Sequence, residues 1–219
     1  MKKISRKSFL KLAAATTAGT AMAPALMGCA WPDTQDRTPY KGDIVLLLSN
    51  DIHSNLGTSK IMSTDGSTRI TGGVARMAAA QAGVRHRAFG KTLTLDGGDY
   101  SQGTPYQDGY QKGWEILALA EMQVDFCTLG NHEFDHKGTG FAQMLRSAVT
   151  SGDPLPALVC ANYKPADSNP NKLDIQRAMA AYGMADYTLL ERGGITYGIF
   201  GIFGKDADDC APTSGFTLT

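Results

Sequence analysis

Closely spaced cysteines are absent from this chain of 219 residues. Its four cysteines are Cys29, Cys127, Cys160 and Cys210, and no pair has the C-x-x-C spacing of a structural zinc site. Cys127 and Cys160 lie inside apolar runs, which is typical of small buried hydrophobic residues. The sequence therefore favours neither a disulfide framework nor thiol chemistry.

Basic residues are also scarce once the first residues are set aside. The chain has 21 lysines and arginines against 21 aspartates and glutamates, and five of the basic residues precede Cys29, where no acidic residue occurs. The remaining 16 basic against 21 acidic residues leave a surface of negative net charge. A protein that binds a nucleic-acid backbone needs a basic surface, so this class of partner is excluded.

The N-terminus has the pattern of an export signal. A basic segment at residues 2–11 precedes residues 12–28, which carry no charge. Residues 5–11 resemble a twin-arginine signal in which Lys7 replaces the second arginine. The segment that ends at Cys29 resembles a bacterial lipobox. It predicts an exported lipoprotein, held at the membrane of the cell surface or periplasm by lipid on Cys29.

Two alternatives to a lipoprotein signal are weaker. One is an ordinary signal peptide cleaved near Ala23, with Cys29 incidental. The other is a transmembrane anchor, which would need about 20 strongly apolar residues, whereas this segment is mostly alanine, threonine and glycine. We expect a signal peptide at residues 1–28, a polar tether at 29–41 and a folded domain at 42–219.

Apolar runs alternate with helical patterns through the rest of the chain. Strands are predicted at residues 44–48, 91–95, 125–129 and 155–161, helices at 72–83, 109–122 and 141–148, and a hairpin or a tight bend at 187–203. The run at 44–48 predicts a strand covered on both faces. The alternation predicts an α/β fold. Residues 207–219 show neither a helix nor a closing strand, so we expect the chain to end inside a domain.

Polar residues follow each predicted strand. The clusters occupy residues 49–53, 96–103, 130–135 and 160–163. Because the carboxyl ends of parallel strands meet at one edge of a sheet, we expect these loops to converge. Taken singly, Asp99 is explained as a turn carboxylate and Asn131-His132 as a capped turn. Together the clusters supply carboxylate, imidazole and amide groups, which favours a divalent metal site.

These motifs, in their order, resemble those of a known family of hydrolases. Asp51-x-His53, Gly98-Asp99 and Gly130-Asn131-His132-Glu133 resemble the first three signatures of the calcineurin-like metallophosphoesterases. Their longer contexts, and residues 187–202, look like the bacterial 5′-nucleotidase and 2′,3′-cyclic-nucleotide phosphodiesterase branch. The resemblance extends over about residues 42–216. It implies an αββα two-sheet sandwich of the metallophosphoesterase type, incomplete at the C-terminus.

The resemblance also implies a role for each motif residue. Asp51 and His53 would bind one metal ion, Asp99 would bridge two, and Asn131 would bind the second. His132 would not bind metal but would stabilise charge on the phosphoryl group or protonate the leaving group. Asp135 would orient His132. The implied reaction is attack on phosphorus by hydroxide held on two divalent metal ions, which could be Zn, Mn, Fe or Co.

The sequence departs from the family in two respects. Family members carry two further histidine motifs downstream, whereas His136 is the last of the four histidines here. The family's nucleoside-binding C-terminal domain has no counterpart either. We therefore expect the N-terminal part of a larger enzyme, with about half of the metal ligands and little or no activity alone. His86 and His136 match no motif, and His86 is expected to be solvated.

The leading hypothesis is hydrolysis of 5′-nucleotides, with a small-molecule nucleotide as substrate. Within the same chemistry, 2′,3′-cyclic nucleotides, nucleotide sugars and other phosphomonoesters remain open. A lipid-anchored protein that binds nucleotide or metal at a degenerate, non-catalytic site is the alternative from another class. A Rossmann-type cofactor enzyme is disfavoured because no G-x-G-x-x-G follows the first strand. The sequence leaves the oligomeric state open.

Overall fold

The computed structural model describes residues 44–89, 91–106 and 112–219. The predicted signal peptide, the tether and the predicted lipid attachment at Cys29 lie outside the described residues. Within the described residues, no helix combines the length and the apolar composition that crossing a membrane would require.

The structure alternates strands and helices, as the sequence predicts. The strands are β1 (Val45–Ser49), β2 (Ser59–Met62), β3 (Thr68–Thr71), β4 (Thr92–Asp96), β5 (Phe126–Cys127), β6 (Ala157–Leu158), β7 (Tyr163–Pro165), β8 (Tyr187–Arg192), β9 (Ile195–Phe200) and β10 (Phe216–Leu218). The α-helices are α1 (Val74–Arg87), α2 (Trp114–Glu121), α3 (Lys137–Ser151), α4 (Lys172–Tyr182) and α5 (Lys205–Cys210). A 3₁₀ helix spans Asn131–Phe134.

A four-stranded parallel sheet forms the centre of the fold. Its strand order is β1-β4-β5-β6, so each strand pairs with the next one of the sheet along the chain. Strands β1 and β4 pair over their full length, which sets Ser49 beside Asp96. Because all four strands are parallel, the loops that follow them leave the sheet at the same edge. The predicted α/β class with a parallel sheet is confirmed.

An aromatic cluster joins the 3₁₀ helix to the core. Phe134 is 2% exposed. Its ring centroid lies 5.2 Å from that of Phe141, 5.4 Å from that of Tyr163 and 4.8 Å from that of Phe216. These partners come from α3, β7 and β10. The cluster therefore fixes the segment that carries Asn131 and His132 against three separate elements.

The prediction that β1 is covered on both faces is wrong for the described residues. Leu46 is 55% exposed and Leu48 is 73% exposed, while Val45 and Leu47 are half-buried. The run is apolar on both faces, but only one face meets described residues. Exposed apolar side chains continue on the hairpin of β8 and β9, at Leu189 and Phe200.

The prediction that residues 207–219 lack a helix and a closing strand is also wrong. They contain the end of α5 and the whole of β10, which pairs antiparallel with β7. Three residues of β10 are too few to give a period, so its pairing is decided by tertiary contacts. Sequence patterns also left out the β2–β3 hairpin and α4, whereas the predicted β8–β9 hairpin is confirmed.

The aromatic cluster gives a test of the core. Replacing Phe134 by alanine should lower the free energy of unfolding by roughly 3–5 kcal/mol, the usual cost of removing a buried phenylalanine. Urea unfolding followed by circular dichroism measures this change. Phe89→Ala is the control, because Phe89 is 75% exposed and surface changes cost under about 0.5 kcal/mol. Equal effects at the two positions would contradict this account of the core.

Candidate metal centre

The loops after β1 and β4 are joined by a ladder of backbone hydrogen bonds. The N–H of Asp51 donates to Gly98 O at 3.0 Å, and the N–H of His53 donates to Asp99 O at 3.1 Å. Asp51 and His53 have φ angles of 52° and 48°, and Asp99 has 53°, values that are uncommon outside glycine. Strained backbone of this kind persists only where its surroundings hold it in one conformation, and it is common at functional sites.

The His53 ring is oriented by a residue that the sequence motifs did not single out. Its Nδ1 lies 3.1 Å from Gln102 Oε1. An amide oxygen only accepts, so Nδ1 carries the proton and Nε2 keeps its lone pair. A neutral imidazole with one nitrogen hydrogen-bonded and the other free is the usual form of a metal-binding histidine. Gln102 is therefore a positioning residue for His53.

The loop after β5 approaches Asp99 closely because Gly98 and Gly130 have no side chains. A Cβ on Gly98 would lie 2.5 Å from the nitrogen of Gly130, and one on Gly130 would overlap the Asp99 carboxylate. Gly98 also has a φ of 97°, which side chains rarely allow. The approach lets the N–H of His132 donate to Asp99 Oδ1 at 2.9 Å.

His132 and Asp135 form a pair at the surface of this loop. His132 Nδ1 lies 3.1 Å from Asp135 Oδ1 and 3.2 Å from Oδ2. The carboxylate accepts a hydrogen bond from Nδ1–H, so Nε2 is the ring nitrogen that faces the site. Carboxylates orient catalytic imidazoles in the same way. The arrangement agrees with the expected orienting role of Asp135.

Three of the predicted site residues supply nitrogen and oxygen atoms in one cluster. One ligand atom each from His53, Asp99 and His132 lies within 4.8 Å of the others. The rings of His53 and His132 are 5.0 Å apart between centroids. Asp51 joins the cluster through its Oδ1, 3.5 Å from His53 Nε2. The imidazole of His53 and the carboxylates of Asp51 and Asp99 are a donor set that fits divalent ions such as zinc and manganese, and the imidazole of His132 lies beside them.

Two asparagines of the predicted polar clusters differ in their surroundings. Asn131 is the first residue of the 3₁₀ helix and is half-buried beside His132. Asn162, from the fourth polar cluster, is instead used in the core. Its side chain donates to Phe203 O at 3.0 Å and accepts from Phe203 N at 2.8 Å. The fourth cluster is therefore explained by packing rather than by the site.

Glu133 is the second positioning residue that the sequence motifs left without a role. The side chain is buried and accepts three backbone N–H groups: from Asp99 at 2.9 Å and Gly130 at 2.6 Å on Oε2, and from Ser101 at 3.0 Å on Oε1. Burial raises the pKa of Glu133 to about 8, although the three N–H donors act to lower it. One carboxylate thus joins the loops after β4 and β5.

Asp96, at the end of β4, is a buried acid behind the cluster. It accepts from Ser49 Oγ at 2.6 Å and from Gly98 N at 3.1 Å. Burial raises the pKa of Asp96 to about 6, and the charge of Asp51 adds to the shift. The Ser49 contact joins the ends of β1 and β4, immediately before the two loops that carry the acidic and imidazole groups.

Comparison with known proteins identifies the fold and its relatives. The 5′-nucleotidase of Bos taurus is 32% identical over 164 residues, which are 67% of this chain and 27% of that protein. A 5′-nucleotidase precursor from Thermus thermophilus superposes with a TM-score of 0.62 at 27% identity, over 80% of this chain and 32% of that chain. The NAD nucleotidase of Haemophilus influenzae superposes with a TM-score of 0.61 at 20% identity, over 80% of this chain and 29% of that chain, and supports the fold alone.

No family model matches the chain. The predicted resemblance to the N-terminal part of 5′-nucleotidases is nevertheless confirmed, as is the metallophosphoesterase type of α/β fold. The chain spans 27% of the bovine relative and 32% of the Thermus chain.

The role given to Glu133 predicts the effect of replacing one of its carboxyl oxygens by an amide nitrogen. Glu133→Gln should lower the free energy of unfolding by roughly 1–3 kcal/mol, because an amide NH₂ would face a backbone N–H and leave a buried donor unpaired. Urea unfolding measures the loss, with Glu121→Gln on α2 as the control. If the two variants are equally stable, Glu133 does not hold the loops together.

The raised pKa of Asp96 predicts a pH dependence of stability. Between its ordinary value of 3.8 and about 6, the unfolded chain loses this proton before the folded chain does. The contribution of Asp96 to stability is therefore fully present below about pH 3.8 and is lost as the pH rises through about 6, a fall of about 3 kcal/mol over the whole range. Asp96→Asn should remove this fall. The comparison is made by urea unfolding at several pH values.

The control for Asp96 is Asp206→Asn, because Asp206 is exposed on α5. Its stability should keep the pH dependence of the wild type. Parallel curves for the wild type and Asp96→Asn would show that burial does not perturb this carboxyl.

Proposed function

We propose that this chain carries part of the active site of a metal-dependent hydrolase of phosphate esters, with 5′-nucleotides as the most favoured substrates. The observation that carries the proposal is the cluster of His53, Asp99 and His132, with ligand atoms within 4.8 Å of one another. The two 5′-nucleotidases that resemble the chain support the substrate class. Two divalent metal ions would supply an activated water and neutralise charge on the phosphate.

Asp51, His53 and Asp99 are the residues that would hold these ions, with Asn131 as a further ligand through its amide oxygen. His53 presents Nε2 because Gln102 accepts from its other nitrogen. Asp99 is suited to bridge two ions, because a carboxylate has two oxygens. One of them, Oδ1, also accepts from the backbone N–H of His132, which orients the carboxylate. Asp51, whose carboxylate lies beside His53 Nε2, completes the first set of ligands.

His132 would act on the substrate rather than on the metal. Its Nδ1 faces Asp135, so its Nε2 is the atom available to the phosphoryl oxygens or the leaving group. Asp135 holds the ring through Nδ1, so that Nε2 is placed to exchange a proton with the leaving group or to donate to a phosphoryl oxygen. The His132 ring lies 5.0 Å from the His53 ring between centroids, which supports a role beside the reacting phosphate.

Export to the cell surface or periplasm, with lipid on Cys29, is part of the proposal. It is supported by the uncharged segment at residues 12–28 and by the lipobox pattern before Cys29. A lipid-anchored enzyme at this place would act on nucleotides outside the cytoplasm.

The test separates metal binding from catalysis. Bound Mn²⁺ or Zn²⁺ is measured on the 219-residue chain, and phosphate release from 5′-AMP is measured on the longer enzyme of which the sequence predicts this chain to be the N-terminal part. His132→Ala should retain metal within about twofold of wild type, while phosphate release falls by a factor of roughly 10²–10⁴, as on loss of a general acid or base. Asp99→Asn should do the reverse and empty the site of metal.

Each contrary result has a defined meaning. Loss of metal in His132→Ala would make His132 a ligand and not a group that acts on the substrate. Retention of all metal in Asp99→Asn would remove Asp99 as the bridge. Metal bound by that longer enzyme without phosphate release, also after addition of 2′,3′-cyclic AMP or a nucleotide sugar, would support the alternative of a non-catalytic binding protein.

A further inference from the structure

A buried glutamate on α2 reaches the loop that carries His53. Glu115 lies in the first turn of α2 and is 2% exposed. Its Oε1 accepts from Ser54 Oγ at 2.9 Å, and Ser54 is 0% exposed. The two residues are 61 positions apart in the chain. The contact therefore joins α2 to the residue that directly follows His53.

Ser54 is held through its backbone as well as its side chain. Its N–H donates to Tyr100 O at 2.9 Å, and its carbonyl accepts from Thr104 Oγ1 at 2.6 Å. Its φ is 49°, next to the 48° of His53. A run of two non-glycine residues in this region is unfavourable, so contacts outside the loop must over-determine it. The Glu115 contact is the one that holds the side chain.

A carboxyl group at this place is costly in itself. Burial raises the pKa of Glu115, against the lowering effect of Ser54. Within the described part of the chain, Oε2 is buried without a hydrogen-bond partner. An apolar pair in place of Glu115 and Ser54 would avoid this cost, because replacing both partners of a buried hydrogen bond by apolar groups is often neutral or stabilising. Stability alone therefore gives no reason for a glutamate at this place.

We propose that Glu115 is a positioning residue for the metal centre, which fixes the His53 ring through Ser54 and holds one buried water behind His132. This rests on the proposed metal site. The space for the water is a cavity of about 10 Å³, lined by Glu115 and His132 among others. A cavity of about 10–15 Å³ is the least that holds one water. The water would give Oε2 its hydrogen bond.

The test uses substitutions for which stability and positioning predict opposite results. Glu115→Leu in the full chain should lower Zn²⁺ affinity about tenfold, the lower range for loss of a group that orients a ligand. Adding Ser54→Ala should bring the urea midpoint to that of the wild type or higher, because both partners are then apolar, without restoring the affinity. Titration calorimetry measures the affinity. Glu115→Gln keeps an oxygen for Ser54 and should restore affinity to within about twofold of the wild type.

A second variant reaches the same contact from the other side. Ser54→Ala removes the donor and should also weaken Zn²⁺ binding about tenfold. The double variant with Glu115→Leu should be no weaker than either single variant, since both remove one interaction. Glu121→Leu is the matched control on the same helix and should bind Zn²⁺ as the wild type does. Unchanged affinity in both Glu115→Leu and Ser54→Ala would overturn the positioning role.

A metal-free measurement separates this inference from the proposed function. The ¹H–¹³C resonance of the His53 ring should shift in Glu115→Leu and Ser54→Ala but not in Glu115→Gln, with the ring of His86 on α1 as the internal reference. If the wild type binds no Zn²⁺ and these shifts occur, the metal site fails and the positioning role stands. A crystal structure of the metal-free chain tests the water: density within hydrogen-bond distance of Glu115 Oε2 supports it, and its absence removes that part.

Discussion

The close approach of Asp99 to the loop after β5 is the constraint on which the candidate site depends. Two glycines make it sterically possible, and the three backbone groups bonded by Glu133 hold it closed. Without it, the His132 backbone could not donate to the Asp99 carboxylate, and the two imidazoles would separate. The atoms of the candidate metal site are thus brought together by the carboxyl group of Glu133, which is not one of the proposed ligands.

Much of this arrangement is predictable because strands end where apolar runs end. The parallel order of the sheet then brings the polar residues after β1, β4 and β5 to one edge, whatever the details of the loops. Gln102 and Glu133 could not be assigned in this way. Their roles depend on which polar groups lie within about 3 Å of them, and that is decided by the strained φ angles of the loops. A glutamate directly after Asn131-His132 is visible in the sequence, but its direction is not.

The wrong expectations have a common physical origin. An apolar run indicates that a strand can be buried, but it does not indicate that both faces are buried. For this reason the run at residues 44–48 wrongly predicts Leu48 in the core. A short strand such as β10 has too few residues to show a period, and its hydrogen bonds come from β7. Asn162 has the residue type of a ligand, yet both ends of its amide are used by the backbone of Phe203. Residue type and spacing leave such cases undecided.

The elements that pack against the described core also hold the residues of the candidate site in place. Phe134 links the 3₁₀ helix of Asn131 and His132 to the buried aromatic cluster, and Glu115 links α2 to the His53 loop. Both supports come from elements that bury their side chains among described residues. The exposed apolar face of β1 and the β8–β9 hairpin supplies neither of them. The geometry of His53, Asp99 and His132 is therefore determined by contacts within this part of the fold.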